Sequence, residues 1–212
     1  MLVVVEDSNA HEYRELLNEM FRLRARVFKD RLEWDVKVED GMERDRYDDE
    51  GPVYLIYTDD EQRKVYGSLR LLPTTGPTLL TDFFADTLPD ATRLAAPSIW
   101  ECTRFCLDEK LLDDGNRDEM IFASGILFAG LGEVALQSGI ESILGNFDAG
   151  MYRLYRRIGC QVDVLGVTHR YGRAVYLGLF PVSWQILGRV KAKLREADRA
   201  APLIADRRPL AA

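Results

Sequence analysis

The alternation of two hydrophobic spacings along the chain limits its fold more tightly than any single residue does. Leu2–Val5 is a short β-branched run. Tyr13, Leu16, Leu17, Met20, Leu23 and Val27 then recur at helical spacing behind an Asn9/Glu12 pair of capping-box form, which predicts a long helix reaching about Phe28. Val53–Thr58 and Lys64–Leu72 are strand-like and joined by the polar turn Asp59–Arg63. Pro73–Pro77 has turn chemistry, Leu79–Leu88 a short helical pattern, and Ser98–Leu107 the bulky residues of a strand. Arg117–Gln137 is helical, apolar at Ile121, Leu127, Phe128, Leu131 and Val134. Ile140–Phe147 follows as a buried strand, Met151–Ile158 as a short amphipathic helix, Val162–Val167 and Ala174–Phe180 as strands, and Trp184–Arg195 as a last helix. No repeat or linker interrupts this series. It predicts one domain over residues 1–200, a three-layer α/β/α sandwich around a mixed, mostly antiparallel sheet. The Ala/Pro/Arg-rich residues 201–212 carry no core pattern and are expected to form a tail.

A chain of 212 residues buries a sufficient core without disulfide or metal. Its net charge of -7 argues against nucleic acid or an anionic membrane as the main partner. Cys102, Cys106 and Cys160, with His11 and His169, match no zinc-ligand spacing, so no metal is expected and the cysteines read as free thiols of a reducing cytoplasm. Met1–Glu6 lacks the form of a signal peptide, and Ile121–Leu131 is about half of the roughly 20 residues a spanning helix needs. The expected location is cytoplasmic, with no membrane partner.

From Arg31 to Pro52 the periodicity fails. Charges dominate, with Gly41, Gly51 and Pro52 as breakers. Ordered loops of about 20 residues usually serve a function. Spanning the end of the first helix and this loop is Leu23-Arg24-x3-Phe28-x2-Arg31-x2-Trp34-x-Val36, followed by Glu43-x-Asp45-x-Tyr47-Asp48. Further on, Arg70 stands in Gly67-Ser-Leu-Arg-Leu-Leu-Pro-Thr-Thr75, and Glu101 and Arg104 in Trp100-Glu-Cys-Thr-Arg104. In these positions and their order the chain resembles the LuxI-type acyl-homoserine-lactone synthases over nearly its whole length. Its runs look closest to the Cin-type branch.

The resemblance implies a GNAT-like fold and a two-step reaction. The amine of S-adenosylmethionine is acylated from an acyl-carrier-protein thioester; the product then lactonises and releases methylthioadenosine. S-adenosylmethionine is a substrate, so no cofactor is implied. Glu101, acting through water, is the expected general base, because neither histidine lies in the matching motifs. Arg104 is expected to keep Glu101 ionised and oriented, and backbone N–H groups after Glu101 to hold the oxyanion. Phe28 and Trp34 offer aromatic faces to the sulfonium or adenosine. Arg24, Asp45 and Asp48 would hold the amino-acid head, directly or by ordering the loop.

Residue chemistry reaches part of this independently. Arg24 and Phe28 share a helix face beside the core positions Met20 and Val27, where a buried arginine needs an acid or a ligand. Arg24, Arg70 and Arg104 balance Asp45, Asp48 and Glu101 if all six converge. A purely structural salt-bridge network is the alternative for any one pair. Glu101 and Arg104, three apart in a strand, would point to opposite faces, so a bulge or strand end is predicted between them.

For donor recognition, Arg153, Arg156 and Arg157 lie opposite Met151, Leu154, Tyr155 and Ile158, on the helix that serves family members as a docking surface. A basic face there suits an acidic carrier protein, the alternative being a merely solvated face. Arg22, Arg26 and Lys29 form a weaker candidate. Gly145 stands where members preferring 3-oxo chains commonly carry threonine, which disfavours a 3-oxo substrate, and the likeness to the Cin-type branch implies a long chain. Cys102 and Cys106 flank the site without a histidine to activate them, which disfavours a thiol nucleophile. An ordinary N-acetyltransferase would show a pyrophosphate loop at a helix N-terminus, whereas this chain has only Phe122-Ala-Ser-Gly125. The same chemistry with acyl-CoA as donor remains an alternative, and a catalytically dead binding protein is disfavoured because all six charged positions are filled.

Overall fold

The computed structural model describes residues 1–88, 94–112 and 117–194; the expected tail lies outside the described residues. Seven strands form one sheet: β1 (Leu2–Val5), β4 (Val53–Thr58), β5 (Val65–Pro73), β6 (Ile99–Leu107), β7 (Ser142–Phe147), β9 (Val175–Pro181) and β8 (Asp163–Thr168), in that spatial order. Among the described strands only β6 and β7 pair in parallel. A small separate hairpin, β2 (Val38–Glu39) with β3 (Met42–Glu43), lies in the long loop.

Strand alternation sorts the core into two layers. Val53 and Leu55 of β4 join Leu69 and Leu71 against the long helix α3 (Arg117–Gln137), which also meets α4 (Ala149–Ile158) and α5 (Trp184–Lys193). Tyr54 and Ile56 point the other way, onto Leu16, Met20 and Leu23 of α1 (Arg14–Arg24). The sheet is therefore sandwiched by helices, as a period of two in the strands requires. On the α1 side the four-residue helix α2 (Leu79–Asp82) places Leu80 against Leu144 and Leu177. By length and composition α3 could cross a bilayer, but here most of it is buried against the sheet.

Two local expectations fail. Asn9 does not cap the first helix. Its side chain binds the backbone at Glu6 and Val4 and so fixes the end of β1, while only a 3-10 turn, Ala10–Glu12, follows. The helix also does not run on as α to Phe28. From Ala25 to Arg31 it widens into a π-helix, with Leu32 N–H bonded to the Val27 carbonyl.

The feature that positions the site is the short pairing of the two parallel strands. They pair only from Ile99↔Ser142 to Glu101↔Leu144 and then part. Beyond Glu101, β6 keeps its β5 partner and β7 its β9 partner, so the sheet opens at that residue.

Candidate active site

Register places Tyr54, Arg70, Leu72, Glu101 and Leu144 on one face of the sheet, because laterally paired residues point the same way. Over this face lies the loop from β3 to the 3-10 turn Arg46–Asp49. Asp45 caps that turn by accepting from Tyr47 N–H, while Asp48 accepts from Asp45 N–H at 2.8 Å. Both carboxylates are thereby turned onto the sheet.

Arg104 needs a special backbone to join them. Between Ser68↔Cys106 and Arg70↔Thr103, β6 carries one residue more than β5, and Arg104 has φ +54°. This is the predicted bulge, and the extra residue returns the Arg104 side chain to the face it would otherwise leave.

Six charges then close into a ring. Arg24 reaches Glu43 at 2.5 Å and Asp48 at 2.8 and 2.9 Å. Asp48 meets Arg70 at 2.8 Å, and Arg70 binds Asp45 at 2.5 and 3.0 Å. Arg104 spans the remaining gap, 2.7 Å from Asp45 and 3.0 Å from Glu43. Three arginines and three carboxylates alternate, so the ring sums to zero and each charge has two opposite neighbours. Burial alone would raise the Asp48 carboxyl and lower the Arg24 guanidinium. Their contacts outweigh it: Asp48, facing Arg24 and Arg70, is held well below the usual carboxylate range, and Arg24, facing Asp48 and Glu43, is raised. Tyr54 adds its hydroxyl to Asp48 at 2.7 Å, and burial followed by that carboxylate pushes its own ionisation up.

This geometry corrects two expectations. The third acid of the cluster is Glu43, fully buried, and not Glu101. Glu43 belongs to the spaced motif, and its i, i+2 relation to Asp45 was the signal for it. Arg104 is committed to Glu43 and Asp45, so it does not orient Glu101. The Glu101 carboxylate accepts instead from Leu79 N–H at 2.9 Å and Leu80 N–H at 2.7 Å, the first backbone donors of α2. Burial pushes its pKa up to about 7, opposed by those two bonds and by Arg70.

A cavity of about 1530 Å³ runs past these groups. Phe28, Trp34, Asp45, Glu101 and Arg104 line it on the α1 side; Arg24, Asp48 and Arg70 do not, and support the lining from behind. Phe28 and Trp34 stack with centroids 5.0 Å apart, and the Arg104 guanidinium lies 5.4 Å from the Phe28 ring centre. Of the other motif residues, Arg31 pairs with Glu109 and Val36 packs against the α1 cluster. The same cavity is lined by Phe128, Leu131, Ile143, Ile186 and Leu187 on the opposite face, so it passes through the sheet where β6 and β7 part. Gly145 stands at this passage, where a Cβ would lie 3.6 Å from the Cys102 carbonyl and from the Phe180 ring. Asn146, next along β7, lines the cavity with an amide nitrogen that is buried and has no partner among the described residues.

Cys102 also lines the cavity, but burial pushes its thiol up to about 12, far from a thiolate at neutral pH. Among the described residues no group of three or more His, Cys, Asp or Glu is placed to hold a metal.

Arg153, Arg156 and Arg157 are all exposed on α4, which Asp148 caps and Gly159 ends at φ +90°. Arg153 and Arg157 stand at the cavity wall, while Arg156 joins Arg189 and Lys193 of α5 around a shallow hollow. Of the weaker group, Arg22 is paired with Glu19 and Arg26 with Asp108.

Comparison with known proteins gives one consistent answer. The family model for autoinducer synthase matches residues 8–190. An acyl-homoserine-lactone synthase of Rhizobium etli is 39% identical over 204 residues, covering 95% of this chain and 94% of the relative. One from Agrobacterium fabrum is 34% identical over 201 residues, covering 95% and 90%. Among solved structures, the CoA-dependent acyl-homoserine lactone synthase BjaI, with SAM and isopentyl-CoA, superposes with TM-score 0.78 at 26% identity, over 91% of this chain and 88% of that one. The AHL synthase LasI gives TM-score 0.76 at 28% identity, over 92% and 96%. An N-acetyltransferase from Lactobacillus plantarum, 16% identical with TM-score 0.51 over 86% of this chain and 99% of that one, shares the fold alone.

Proposed function

This chain belongs to the autoinducer synthase family and is an acyl-homoserine-lactone synthase, and on that premise we propose that it joins S-adenosylmethionine to a long acyl chain without a 3-oxo group, delivered by acyl carrier protein in the cytoplasm. The observation that carries the reading is the single cavity that begins at Phe28, Trp34 and the ion-pair ring, passes Glu101, and crosses the opened sheet into an apolar pocket. One end suits a charged nucleoside sulfonium and the other an alkyl chain. The BjaI complex holds SAM and isopentyl-CoA together.

The aromatic pair Phe28–Trp34 offers its face to the sulfonium or adenosine. Asp45 and Arg104, which with Glu43 are the ring members on the cavity wall, meet the ammonium and carboxylate; Arg24, Asp48 and Arg70 act behind them by fixing the loop. Glu101, near half-ionised at neutral pH, takes a proton from the ammonium, directly or through one water. The freed amine attacks the thioester carbonyl. A C–N bond forms, the C–S bond breaks, and the departing thiolate takes up the second proton, shed by the nitrogen as it becomes an amide. The β6 backbone beyond Glu101, turned at Arg104, offers N–H groups to the oxyanion. In the second step the substrate carboxylate attacks its own γ-carbon. That bond closes the lactone as the carbon–sulfur bond breaks, and the sulfonium leaves as neutral methylthioadenosine. Proximity supplies much of this step.

The pantetheine arm common to carrier protein and CoA carries amides, and the open Asn146 amide would pair with one in the passage. The exposed Arg153, Arg156 and Arg157, extended by Arg189 and Lys193, favour an acidic carrier protein over CoA alone. Purified protein given S-adenosylmethionine and a panel of carrier-protein and CoA thioesters is expected to release methylthioadenosine and long-chain lactone, with carrier-protein thioesters preferred. Equal or better turnover of CoA thioesters would shift the donor to CoA. Thioester turnover without methylthioadenosine would overturn the two-step reading.

A further inference from the structure

Tyr47 and Asp82 lie between the ion-pair ring and Glu101, and we propose that they form a positioning strut that holds α2, and with it the N–H donors of Glu101, in register with the ring. The inference rests on Glu101 being the general base.

The chain of contacts is continuous. The Arg70 guanidinium of the ring lies 5.5 Å from the Tyr47 ring centre. Tyr47 is buried, and its hydroxyl donates to Asp82 Oδ2 at 2.6 Å while lying 3.4 Å from the Thr78 carbonyl. Thr78 is the N-cap of α2 and Asp82 its last residue, so one hydroxyl touches both ends of that helix. Arg46, from the same 3-10 turn as Tyr47, pairs with the same Asp82 oxygen and lies 3.1 Å from the Tyr47 hydroxyl. Between those ends, Leu79 and Leu80 direct their N–H groups at the two oxygens of Glu101.

A helix of four residues cannot hold its own place, because nucleation costs more than its few bonds return. The placement of α2 must come from outside: Leu80 in its apolar cluster, and the Tyr47–Asp82–Arg46 contact. Asp82 does not line the cavity, so it acts through α2 and is a positioning residue. The strut also gives Glu101 its working range. Each backbone N–H bond favours the charged carboxylate and opposes burial. If α2 drifts, both donors weaken, the base ionises at higher pH, and a smaller fraction is active at neutrality.

The test is the pH profile of methylthioadenosine release for Tyr47→Phe, Asp82→Ala and Asp82→Asn, beside Glu101→Gln. Tyr47→Phe keeps the aromatic contact to Arg70 and is the variant least expected to disturb folding. Tyr47→Phe and Asp82→Ala are expected to lower kcat on the order of tenfold, with KM for S-adenosylmethionine changed by less than about threefold and the acid limb moved to higher pH. Asp82→Asn, which keeps an acceptor for the Tyr47 hydroxyl, is expected to recover most of the rate. An unmoved acid limb in Tyr47→Phe overturns the strut, whether kcat holds, KM rises or the melting temperature falls, since each of these is what a purely structural contact would give. Glu101→Gln separates the two levels. If it abolishes turnover while the strut variants keep the wild-type limb, only the strut fails. If it retains turnover, the base assignment fails and the strut with it.

Discussion

Glu43, Asp45 and Asp48 each face two arginines, whereas Glu101, on the same side of the sheet, faces two backbone N–H groups at the start of α2. The partners differ in charge, and that decides what each acid can do. Asp48, held well below the usual carboxylate range by Arg24 and Arg70, does not trade a proton near neutrality and serves as architecture, as Glu43 and Asp45 do through their ion pairs. A carboxylate that burial pushes up to about 7, opposed by two backbone dipoles and more weakly by Arg70, can trade a proton. The arginines that stabilise the ring would spoil the base if they were nearer. The bulge brings Arg104 onto the face it shares with Glu101, but its guanidinium is taken up by Glu43 and Asp45.

The largest effect is expected from breaking the ring. Arg24→Met leaves Glu43 and Asp48 buried with one cation fewer, which should cost about 3–5 kcal/mol of stability in urea unfolding. Glu101→Gln exchanges one backbone-to-carboxylate bond for a poorer contact and should cost about 1–3 kcal/mol. Equal losses would break the distinction between architecture and base.

A pH titration sharpens the same comparison. Asp48 ionises at lower pH in the fold than in the unfolded chain, so its contribution is present above the unfolded value and lost as pH falls through about 4 and below. Glu101 has the opposite displacement, and its base function fades as pH falls below about 7. Between about pH 5 and 6 the protein should therefore stay folded by circular dichroism while turnover falls more than about tenfold. Coincident loss of fold and activity would mean that one set of acids governs both.

Smaller effects concern the passage. Gly145→Thr should be tolerated, because a Cβ meets only ordinary contacts there, and should change the preference among acyl chains by a fewfold in a competition assay. A loss of folding in that variant would place the passage elsewhere. Cys102→Ala should keep turnover within about threefold, since its thiol stays protonated at neutral pH.

Much of this was legible from spacing. The boundaries of α3 follow from its apolar pattern, and the clash between a period of two and the Glu101/Arg104 separation required the bulge. The ring arginines all lie in the spaced segments. Other features left weaker traces. Backbone donors have no side-chain signature, so nothing in the sequence showed that Leu79 and Leu80, rather than Arg104, hold Glu101. The π-turn Ala25–Arg31 keeps the apolar residues of an α-helix and adds no residue type that would mark it. Asn9 and Glu12 have the form of a cap, but the chain end of β1 claims the Asn9 side chain first. Glu43 was visible in the motif, and only its burial between Arg24 and Arg104 showed that it, and not Glu101, completes the charge balance.

The central claim is that Glu101, set apart from the ring, deprotonates the amine. The most direct measurement is methylthioadenosine release against pH, from S-adenosylmethionine and an acyl-carrier-protein thioester, in the native chain and in Glu101→Gln. The native rate is expected to rise through about pH 7, and the variant to lose on the order of 10²–10⁴ in rate together with that rise. A variant that keeps both the rate and its rise with pH would contradict the account.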